Sequence, residues 1–371
     1  MTGPLTMVGI SGGVDSAVAA LLLRDAGETV AGAFMQNWEE DDPASDCHAD
    51  DDRREAVATC AELGIPLSAW NFAAEYRRDV FARFLSEYRV GRTPNPDVMC
   101  NRHIKFRAFL DRARSEGASH VATGHYARVA VDGGRRKLLR GADRAKDQSY
   151  FLHTLDQEQL AAARFPVGAL TKPQVRELAR RRGLANHARR DSTGICFIGE
   201  RDFRGFLAHY LPANPGEMRT PDDVPVGEHQ GVHFYTLGQR DGLGIGGRRE
   251  FSGTPWYVVG KDFRRNIIYV AQRDDHRWIE SRRLACDAVH WIAGAAPGDT
   301  FRCTAKVRYR QDDQPCTVTV AGEGCEVAFD APQRAVTAGQ SVVFYQEEEC
   351  LGGGVIERCD APFGEWNRDH A

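Results

Sequence analysis

A glycine-rich turn between an apolar strand and a helix is the feature that most restricts how this chain can fold. Residues 5–10 read LTMVGI, which is typical of a buried strand, and SGG follows at 11–13. The next segment, 16–27, carries apolar residues at helical spacing and ends on glycine. Glycines at such a junction let backbone N–H groups approach a phosphate, and the helix N-terminus adds partial positive charge. The pattern predicts a phosphate-binding loop. It is not a Walker A loop, because no Gly-Lys-Ser/Thr ends it.

The first half of the chain alternates strand-like and helix-like segments, which predicts a parallel sheet with helices on both faces. We predict strands at 29–35, 66–72 and 120–124, helices near 50–63, 74–90 and 105–117, and a capped helix that opens at 171–174. From about residue 210 glycine and proline become frequent, and short β-type runs follow at 301–310, 315–320, 325–329 and 340–345. The fold class is therefore multidomain, α/β followed by β. We expect an N-terminal catalytic domain at 1–209, a small β-rich central domain at 210–281 and a C-terminal β-barrel at 282–371.

Length and cysteine content narrow the class of protein. A chain of 371 residues usually contains two or three domains. The ten cysteines include no C-x-x-C, so we expect no metal site and reduced thiols in the cytoplasm. No apolar stretch is long enough for a membrane span, and the first ten residues lack a signal-peptide pattern, so we expect no membrane contact. A second glycine-rich run, 242–247, does not follow a strand, and we interpret it as a loop.

The charge distribution is uneven although the net charge is only −4. Residues 133–146 hold six basic side chains and one acidic, and residues 176–190 hold the same numbers. Residues 301–310 hold four basic side chains and no acidic one. Such patches could bind a polyanion despite the overall sign, but each could equally be a solvated face, and the sequence leaves both interpretations open.

Two cysteines stand in turn-rich segments that resemble reactive loops more than core strands. Cys100 ends the run TPNPDVMC, and Cys196 lies in DSTGICFIG. The thiolate is the nucleophilic form of cysteine, and a loop thiol is more reachable than a core thiol. One of the pair could carry a sulfane sulfur, and the other could resolve it by thiol exchange. From the residues alone, two unrelated loop cysteines remain the simpler interpretation.

Longer strings of sequence add a resemblance. The loop SGGVDS (11–16) is similar to the pyrophosphate loop of the ATP-pyrophosphatase superfamily, whose members cleave ATP between its α- and β-phosphates to adenylate a substrate. The whole chain resembles the bacterial tRNA uridine 2-sulfurtransferases, or tRNA-specific 2-thiouridylases. The matching strings, in family order, are SGGVDS, FMQNWEEDD, NFAAEY, GRTPNPDVMCN, ATGHYAR, KDQSYFL, DSTGICFIGER, TLGQRDGLGIGG, PWYVV, RYRQ and LGGG, and they run from residue 11 to residue 354.

The resemblance implies a nucleotide site and a base site. The implied ATP-binding residues are Gly9, Ile10, Ser11, Gly12, Gly13, Val14, Asp15, Ser16, Met35 and Gly124. Asn95, Pro96 and Asp97 would hold the target base, with Asp97 as general acid/base. Cys196 resembles the residue that carries the persulfide, and Cys100 its catalytic partner, with which it could form a disulfide. Cys47 also aligns with a family cysteine, but we assign it no catalytic role.

The resemblance also implies an RNA surface and a set of partners. The implied tRNA-binding residues are His125, Lys146, Asp147, Gln148, Arg308, Tyr309 and Gln340. Without the resemblance, His125 could be a packed histidine, Asp147 could pair with Lys146 or cap a turn, and Arg308 and Tyr309 could form an exposed strand face. The expected cofactors are ATP and Mg²⁺. The expected partners are a tRNA with a wobble uridine and a persulfide donor, either a cysteine desulfurase or a relay protein, acting on a monomer.

The expected reaction is ATP-dependent 2-thiolation of the wobble uridine, by adenylation of its C2 oxygen and sulfur transfer from a cysteine persulfide. The nearest alternative is another ATP pyrophosphatase of the same fold that adenylates a different acceptor without sulfur transfer. An iron–sulfur tRNA thiolase is disfavoured because its C-x-x-C is absent. A catalytically silent RNA-binding protein is disfavoured because SGGVDS, Asp97, Cys100 and Cys196 are all intact.

Overall fold

The structure is a computed structural model, and it describes residues 3–39, 48–190, 203–246, 254–272 and 276–363. Within these ranges no helix is long and apolar enough to cross a membrane. Three β-sheets organise the described residues: a five-stranded sheet, a four-stranded sheet and an eight-stranded sheet.

The five-stranded sheet is parallel throughout, in the order β3-β2-β1-β4-β7. Its strands are β1 (Leu5–Gly9), β2 (Thr29–Gln36), β3 (Leu67–Asn71), β4 (Ala118–Ala122) and β7 (Ala163–Arg164). The α-helices of this part of the chain are α1 (Val14–Asp25), α2 (His48–Leu63), α3 (Ala73–Tyr76), α4 (Ala82–Arg89), α5 (Pro96–Cys100), α6 (Phe109–Ser115), α7 (Gln157–Ala162) and α8 (Lys172–Arg181), with α9 (Phe203–Ala208) leading out of it.

Helices cover both faces of this sheet, as the sequence predicts. Met7 and Val8 are neighbours in β1, and because strand side chains alternate between faces they enter different cores. Val8 packs with Val18 of α1, whereas Met7 packs with Phe109 of α6. The strongly apolar β1 is therefore buried on both sides, which is characteristic of parallel sheets.

Two predicted helices differ from the structure at their ends or in their regularity. The predicted helix 74–90 is observed as α3 and α4, joined by a π-helical segment at Arg77–Phe81. The predicted helix 105–117 begins earlier, at Pro96, and runs through α5, a π-helical segment at Asn101–Ala108 and α6. Proline is well tolerated in the first turn of a helix, so the proline-rich stretch that suggested a loop is a helix start.

The four-stranded sheet has the order β10-β11-β8-β9. Its strands are β8 (Gly216–Arg219), β9 (Pro225–His229), β10 (Trp256–Asp262) and β11 (Ile267–Gln272). Strands β10 and β11 form the hairpin that the run PWYVVGKDFRRNIIYVAQ predicts, and β11 pairs in parallel with β8.

Six antiparallel strands close into the C-terminal barrel. They are β12 (Glu280–Trp291), β13 (Thr300–Lys306), β14 (Gln314–Ala321), β15 (Gly324–Arg334), β16 (Ser341–Gln346) and β17 (Glu349–Cys359). The order β12-β15-β14-β13-β16-β17 is closed by direct pairing of β12 with β17. The predicted fold class, a parallel-sheet α/β part followed by a β-rich part and a β-barrel, is confirmed. The boundaries of the domains stay a prediction.

A β-hairpin that we did not predict connects the N-terminal part to the barrel. Strands β5 (Ala127–Asp132) and β6 (Arg135–Arg140) pair with each other, and β6 adds to the edge of β17. Gly133 and Gly134 form the turn with φ values of +56° and +81°. Asp-Gly-Gly between alternating strands is a recognisable hairpin signal, but the many basic residues led us to interpret the segment only as a charged patch.

The structure largely neutralises two of the three basic patches. In 133–146, four basic side chains pair with acidic residues of the hairpin or the barrel: Arg135 and Lys137 with Glu349, Arg140 with Asp313, and Arg144 with Glu348. In 176–190, Arg180 and Arg181 pair with Glu177, Arg182 with Asp25, and Arg189 with Asp52. In 301–310, Arg308 and Arg310 have no acidic partner among the described residues. Half of the basic side chains of the third patch therefore lack an acidic partner in the described part of the chain, because only Arg302 and Lys306 are paired.

Candidate active site

The predicted phosphate loop lies at the carboxyl end of β1, directly before α1. Ser16 fixes its shape: the Ser16 hydroxyl donates to the Gly13 carbonyl at 3.0 Å and accepts from the Ser11 amide at 3.2 Å. Gly12 has a φ of +76°, and a Cβ there would lie 2.7 Å from the Asp52 carbonyl oxygen. The loop therefore needs glycine at residue 12 for both its backbone angle and its close packing.

Gly124, which is also predicted at the nucleotide site, lies against this loop. A Cβ on Gly124 would be 2.7 Å from the Ser16 nitrogen. Met35 also lies beside the loop, because a Cβ on Gly9 would come within 3.0 Å of its terminal methyl carbon. The structure therefore brings together residues 9–16, Met35 and Gly124, and backbone N–H groups at a helix N-terminus form a favourable environment for phosphate.

A buried lysine that we did not single out from the sequence contacts the loop. Lys172, the first residue of α8, is 7% exposed, and its Nζ lies 2.8 Å from each carboxylate oxygen of Asp15. The Tyr126 hydroxyl donates to the same carboxylate at 2.7 Å. The sequence signal was present, since Thr171 and Gln174 form the capping box that starts the helix and fixes the first-turn lysine. Nothing in the linear sequence indicated that α8 would begin at the loop.

The predicted base-binding residues lie at the start of α5. The Asn95 side chain caps the helix and accepts from the amides of Asp97 and Val98, at 3.1 and 3.3 Å. Pro96 occupies the first turn and is buried. The cap fixes the direction of the first turn, so it also positions Asp97.

Asp97 and Cys100 lie three residues apart in this helix, on one face. Burial raises the pKa of Asp97, and the nearby charge of Lys105 opposes this shift only in part. Because a carboxyl with a raised pKa exchanges its proton closer to neutral pH, Asp97 has the property that a general acid/base needs.

Cys100 is 1% exposed. Our expectation of a reachable loop thiol is wrong for Cys100, since the helix starts earlier than we predicted and places the sulfur in the core.

Cys196 lies outside the described residues, and so does Cys47. The predicted persulfide position and its disulfide with Cys100 therefore stay predictions.

The predicted RNA-contacting residues divide into buried and accessible ones. His125 is 8% exposed, its Nδ1 lies 2.7 Å from the Thr123 hydroxyl, and burial holds its pKa well below the usual histidine range. Asp147 is 6% exposed and accepts from the amides of Gly141 and Ser149, at 3.0 and 3.1 Å. Both side chains are buried and form hydrogen bonds within the protein, so they support the neighbouring backbone and are not exposed to a ligand.

Tyr309, a more accessible member, is connected through Phe151 to the π-helical segment that follows α5. The Tyr309 hydroxyl donates to the Lys146 carbonyl at 3.4 Å, and the Tyr309 ring lies 4.3 Å from the Phe151 ring. The Phe151 carbonyl in turn accepts from the Asn101 side chain at 3.2 Å. Burial, followed by the negative charge of Asp147, raises the pKa of Tyr309 to about 12, so its hydroxyl stays protonated at neutral pH.

Three other predicted residues lie around this arrangement. Gln340 donates through Nε2 to the Thr93 carbonyl at 2.7 Å, two residues before Asn95. Arg308 is exposed, and its guanidinium donates to the Arg334 carbonyl at 2.9 Å. Gln148 exchanges two hydrogen bonds with the Tyr126 backbone, at 2.9 and 3.0 Å. Because Tyr126 also bonds Asp15, this tyrosine connects the segment 146–148 to the phosphate loop.

The structure therefore has a phosphate-type loop on a parallel α/β sheet, a carboxyl and a thiol on one face of helix α5, and a C-terminal β-barrel, which is the architecture of a multidomain α/β protein with a nucleotide-type loop. Family models agree with this architecture along the chain. Residues 5–200 match the tRNA methyl transferase HUP domain, residues 204–272 the tRNA methyl transferase PRC-barrel domain, and residues 281–356 the aminomethyltransferase beta-barrel domain.

Curated relatives make the assignment more specific. The chain is 58% identical over 363 residues to a tRNA-specific 2-thiouridylase MnmA of Xanthomonas campestris pv. campestris, and the match covers 98% of this chain and 96% of the relative. It is 58% identical over 364 residues to the protein of that name from Stenotrophomonas maltophilia, with the same coverage. The chain belongs to the family of tRNA-specific 2-thiouridylases, so the resemblance in sequence is confirmed.

Solved structures add only a distant likeness. An NMN synthetase from Francisella tularensis is similar with a TM-score of 0.33 and 17% identity, over 53% of this chain and 69% of that one. An NH3-dependent NAD synthetase from Campylobacter jejuni is similar with a TM-score of 0.29 and 18% identity, over 48% of this chain and 64% of that one.

Proposed function

We propose that this protein is an ATP-dependent tRNA 2-thiouridylase that replaces the C2 oxygen of a wobble uridine with sulfur. Membership of the family supports the reaction class. The observation that carries the proposal is the arrangement around Tyr126, which contacts both the phosphate loop, through Asp15, and segment 146–148, through Gln148. Tyr126 would thereby connect the loop that holds the nucleotide with the segment that contacts the RNA.

The first step proposed is adenylation. The uridine O2 attacks the α-phosphorus of ATP, and the bond to pyrophosphate breaks. Residues 9–16 would hold the phosphates through backbone N–H groups, and Lys172 would supply the cation that this loop lacks in its own sequence. Adenylation matters because the amide-like C2 oxygen is a very poor leaving group, whereas AMP is a good one.

The residues at the loop also fit a divalent cation that arrives with the nucleotide. Mg²⁺ is usually held by one or two carboxylates together with substrate phosphates, and Asp15 offers one carboxylate at the loop. Among the described residues no group of three or more potential ligands forms a preassembled metal site. When bound, Mg²⁺ would neutralise charge on the departing pyrophosphate.

The second step proposed is sulfur transfer. The terminal persulfide sulfur on Cys196 attacks C2, and AMP leaves with the former O2. The Cys100 thiolate then attacks the Cys196 Sγ, so that the sulfur stays on C2 and the two cysteines form a disulfide. Two thiols are oxidised while the sulfane sulfur is reduced, and an external thiol reductant must restore the pair. In a variant of this step, Cys100 frees sulfide first. Asp97 would move the proton of the base during activation.

The proposal places the protein in the cytoplasm as a monomer. Its sulfur would come from a cysteine desulfurase, directly or through a relay protein.

Thiolation of unmodified tRNA tests the proposal. The purified protein is incubated with ATP, Mg²⁺, cysteine and a desulfurase system that is active on a reference thiolase, and thiolated tRNA is read as a retarded band on a mercury-containing gel. We expect a retarded band that requires ATP. Cys196→Ser should abolish the band and retain tRNA binding, whereas Cys303→Ser, a half-buried barrel cysteine, should keep it. No band from the wild-type protein would contradict the proposal and favour an ATP pyrophosphatase with another acceptor.

A further inference from the structure

Strand β6 ends on an arginine that lies almost entirely inside the protein. This residue, Arg140, is 1% exposed. An arginine is rarely buried so deeply, because taking its charge out of water is costly unless other groups surround the guanidinium. The contacts of the Arg140 side chain therefore show which parts of the chain it joins.

Two carboxylates from distant segments contact the Arg140 guanidinium. Its Nη2 donates to Asp313 Oδ2 at 2.7 Å, and its Nη1 lies 3.6 Å from Asp147 Oδ2. Its Nε donates to the Glu347 carbonyl at 3.1 Å, and its planar face lies 3.6 Å from the centre of the Tyr345 ring. This arrangement needs the flat, forked guanidinium, because the ammonium group of lysine is a compact point charge that could not contact all four groups together.

The two carboxylates belong to two segments that carry most of the expected RNA contacts. Loop 141–148 follows β6 and includes Lys146, Asp147 and Gln148. Turn 307–313 connects β13 to β14 and includes Arg308 and Tyr309. Asp313 is the last residue of the turn. Arg140 therefore joins the loop to the turn through a single side chain.

The loop is also fixed on the α/β part of the chain. Asp143 Oδ2 accepts from the Lys172 amide at 2.9 Å, and Gln148 bonds the Tyr126 backbone. Arg140 thus places turn 307–313 relative to a loop whose own position is set by other contacts.

The direct contact between the loop and the turn is weaker than the link through Arg140. The Tyr309 hydroxyl donates to the Lys146 carbonyl at 3.4 Å, which is longer than the range of about 2.5–3.0 Å that is usual for such a bond. The bond from Arg140 to Asp313 is shorter and joins two charged groups, and charge-assisted hydrogen bonds are the stronger kind. The position of the turn should therefore depend mainly on Arg140.

We propose that Arg140 is a positioning residue for tRNA binding, which holds turn 307–313 beside loop 141–148 so that both present their RNA-contacting side chains together. Arg140 is buried and acts through Asp313 and Asp147. A surface that is ordered before binding loses less conformational entropy when the ligand binds, so these ion pairs should raise the affinity for tRNA. The inference rests on the proposed function, because it takes tRNA as the ligand of this surface.

Replacement of Asp313 is the sharpest test, because charge alone and positioning predict opposite signs. The Asp313 side chain is 39% exposed, so Asp313→Ala should leave the protein folded. Removal of a negative charge beside an RNA surface should strengthen tRNA binding if only charge matters. We expect Asp313→Ala instead to raise the Kd for tRNA by about fivefold, because the turn loses its link to Arg140. The matched control, Asp312→Ala, removes the same charge one residue earlier and should bind tRNA at least as tightly as the wild-type protein does.

A second variant keeps the charge of Arg140 and removes its fork. We expect Arg140→Lys to raise both the Kd for tRNA and the KM for tRNA in thiolation by about tenfold. The kcat at saturating tRNA should stay within about twofold of that of Arg135→Lys, which makes the same change at a half-exposed arginine of the same hairpin. A merely structural role would reduce the fraction of active protein, and so lower kcat with an unchanged KM.

Two results would overturn the inference while the wild-type protein binds tRNA. One is an Asp313→Ala variant that binds tRNA as tightly as Asp312→Ala does. The other is an Arg140→Lys variant whose kcat falls while its KM for tRNA equals that of Arg135→Lys. Bound tRNA that is not thiolated would contradict only the proposed reaction, because the comparison of Kd values needs no turnover. A wild-type protein that does not bind tRNA would overturn the proposed function and this inference together.

Discussion

At the scale of single residues, the site holds two ionisable side chains that are largely shielded from water. Asp97 is a carboxyl with a raised pKa, and Lys172 is a lysine that is almost fully buried against Asp15. The sequence and its resemblance identified Asp97 because it lies in a continuous string. They missed Lys172, because its partner is 157 residues away and only the fold brings them together.

Replacement of Lys172 should slow adenylation strongly while the protein still folds. We expect Lys172→Met to slow ATP–pyrophosphate exchange in the presence of tRNA by about 100-fold or more, since a buried cation beside the phosphates is lost. The unpaired Asp15 carboxylate should also lower the free energy of unfolding, by roughly 3 kcal/mol. Lys137→Met, which removes an ion-paired lysine of the hairpin, serves as the control. An exchange rate equal to that of the control would show that Lys172 only braces Asp15.

The buried Asp97 carboxylate should lower the stability of the folded protein at neutral pH, although the reaction requires this residue. Its folded pKa is raised, so its contribution to stability is complete below the unfolded pKa and is lost as the pH rises through the folded pKa. Asp97→Asn should therefore stabilise the protein at pH 7, with a gain that shrinks as the pH falls toward about 4, while thiolation drops by about 100-fold or more.

A second aspartate gives the opposite sign as a control. The Lys137 side chain lowers the pKa of Asp132, so Asp132→Asn should not stabilise the protein at pH 7, and any loss should disappear at low pH. Urea unfolding between pH 4 and pH 8 measures both variants. Destabilisation by Asp97→Asn at pH 7 would contradict the account.

At the scale of secondary-structure elements, periodicity predicted four of the five strands of the parallel sheet to within about two residues. It missed the two-residue strand β7 and misplaced the start of helix α5. A proline pair was interpreted as a loop, although the Asn95 cap and a first-turn proline favour a helix start. The hairpin β5–β6 was missed for a different reason. Its basic side chains have acidic partners on β17, which no local pattern can show.

In the loop after strand β6, we expect Asp147 to stabilise the fold and Lys146 to contribute to RNA binding. Asp147→Asn should destabilise the protein by about 1–3 kcal/mol, because Asp147 accepts backbone and hydroxyl hydrogen bonds in a buried position. Lys146→Gln, one residue earlier and half-buried, should leave stability unchanged and weaken tRNA binding with a smaller salt slope. Urea unfolding and filter binding measure the two effects. Equal stability of both variants would show that Asp147 is not a structural residue.

At the scale of the whole molecule, the segment that leads into α5 is held by both β-rich parts. Lys261 of β10 donates to the Gly91 carbonyl at 2.7 Å, and Gln340 donates to the Thr93 carbonyl. The Arg92 guanidinium pairs with Glu357 of β17. The sequence predicted the parallel α/β part, the β-rich part and the barrel. It did not predict that the last two both contact residues 91–93, because each contact joins residues more than 160 positions apart.

Gly91 is the position where this packing is most restrictive. Its φ is +83°, and an added Cβ would lie 1.9 Å from the Phe263 ring. Gly91→Ala should therefore lower the free energy of unfolding by about 3 kcal/mol or more and reduce thiolation with it. Gly27→Ala has a similar φ of +79° but open space around it, and it should cost only about 1 kcal/mol. Equal destabilisation of the two variants would show that backbone strain, not packing on Phe263, sets the requirement.

The central claim is that one site adenylates the C2 oxygen of the uridine that receives sulfur, and the fate of that oxygen tests it directly. A tRNA with ¹⁸O at C2 of the wobble uridine is reacted in a single turnover with ATP and the persulfide-loaded protein. Mass spectrometry then measures the label in the products. The account predicts one ¹⁸O in the phosphate of AMP for each thiouridine formed. Thiouridine formed with unlabelled AMP, or with ADP as the nucleotide product, would contradict it.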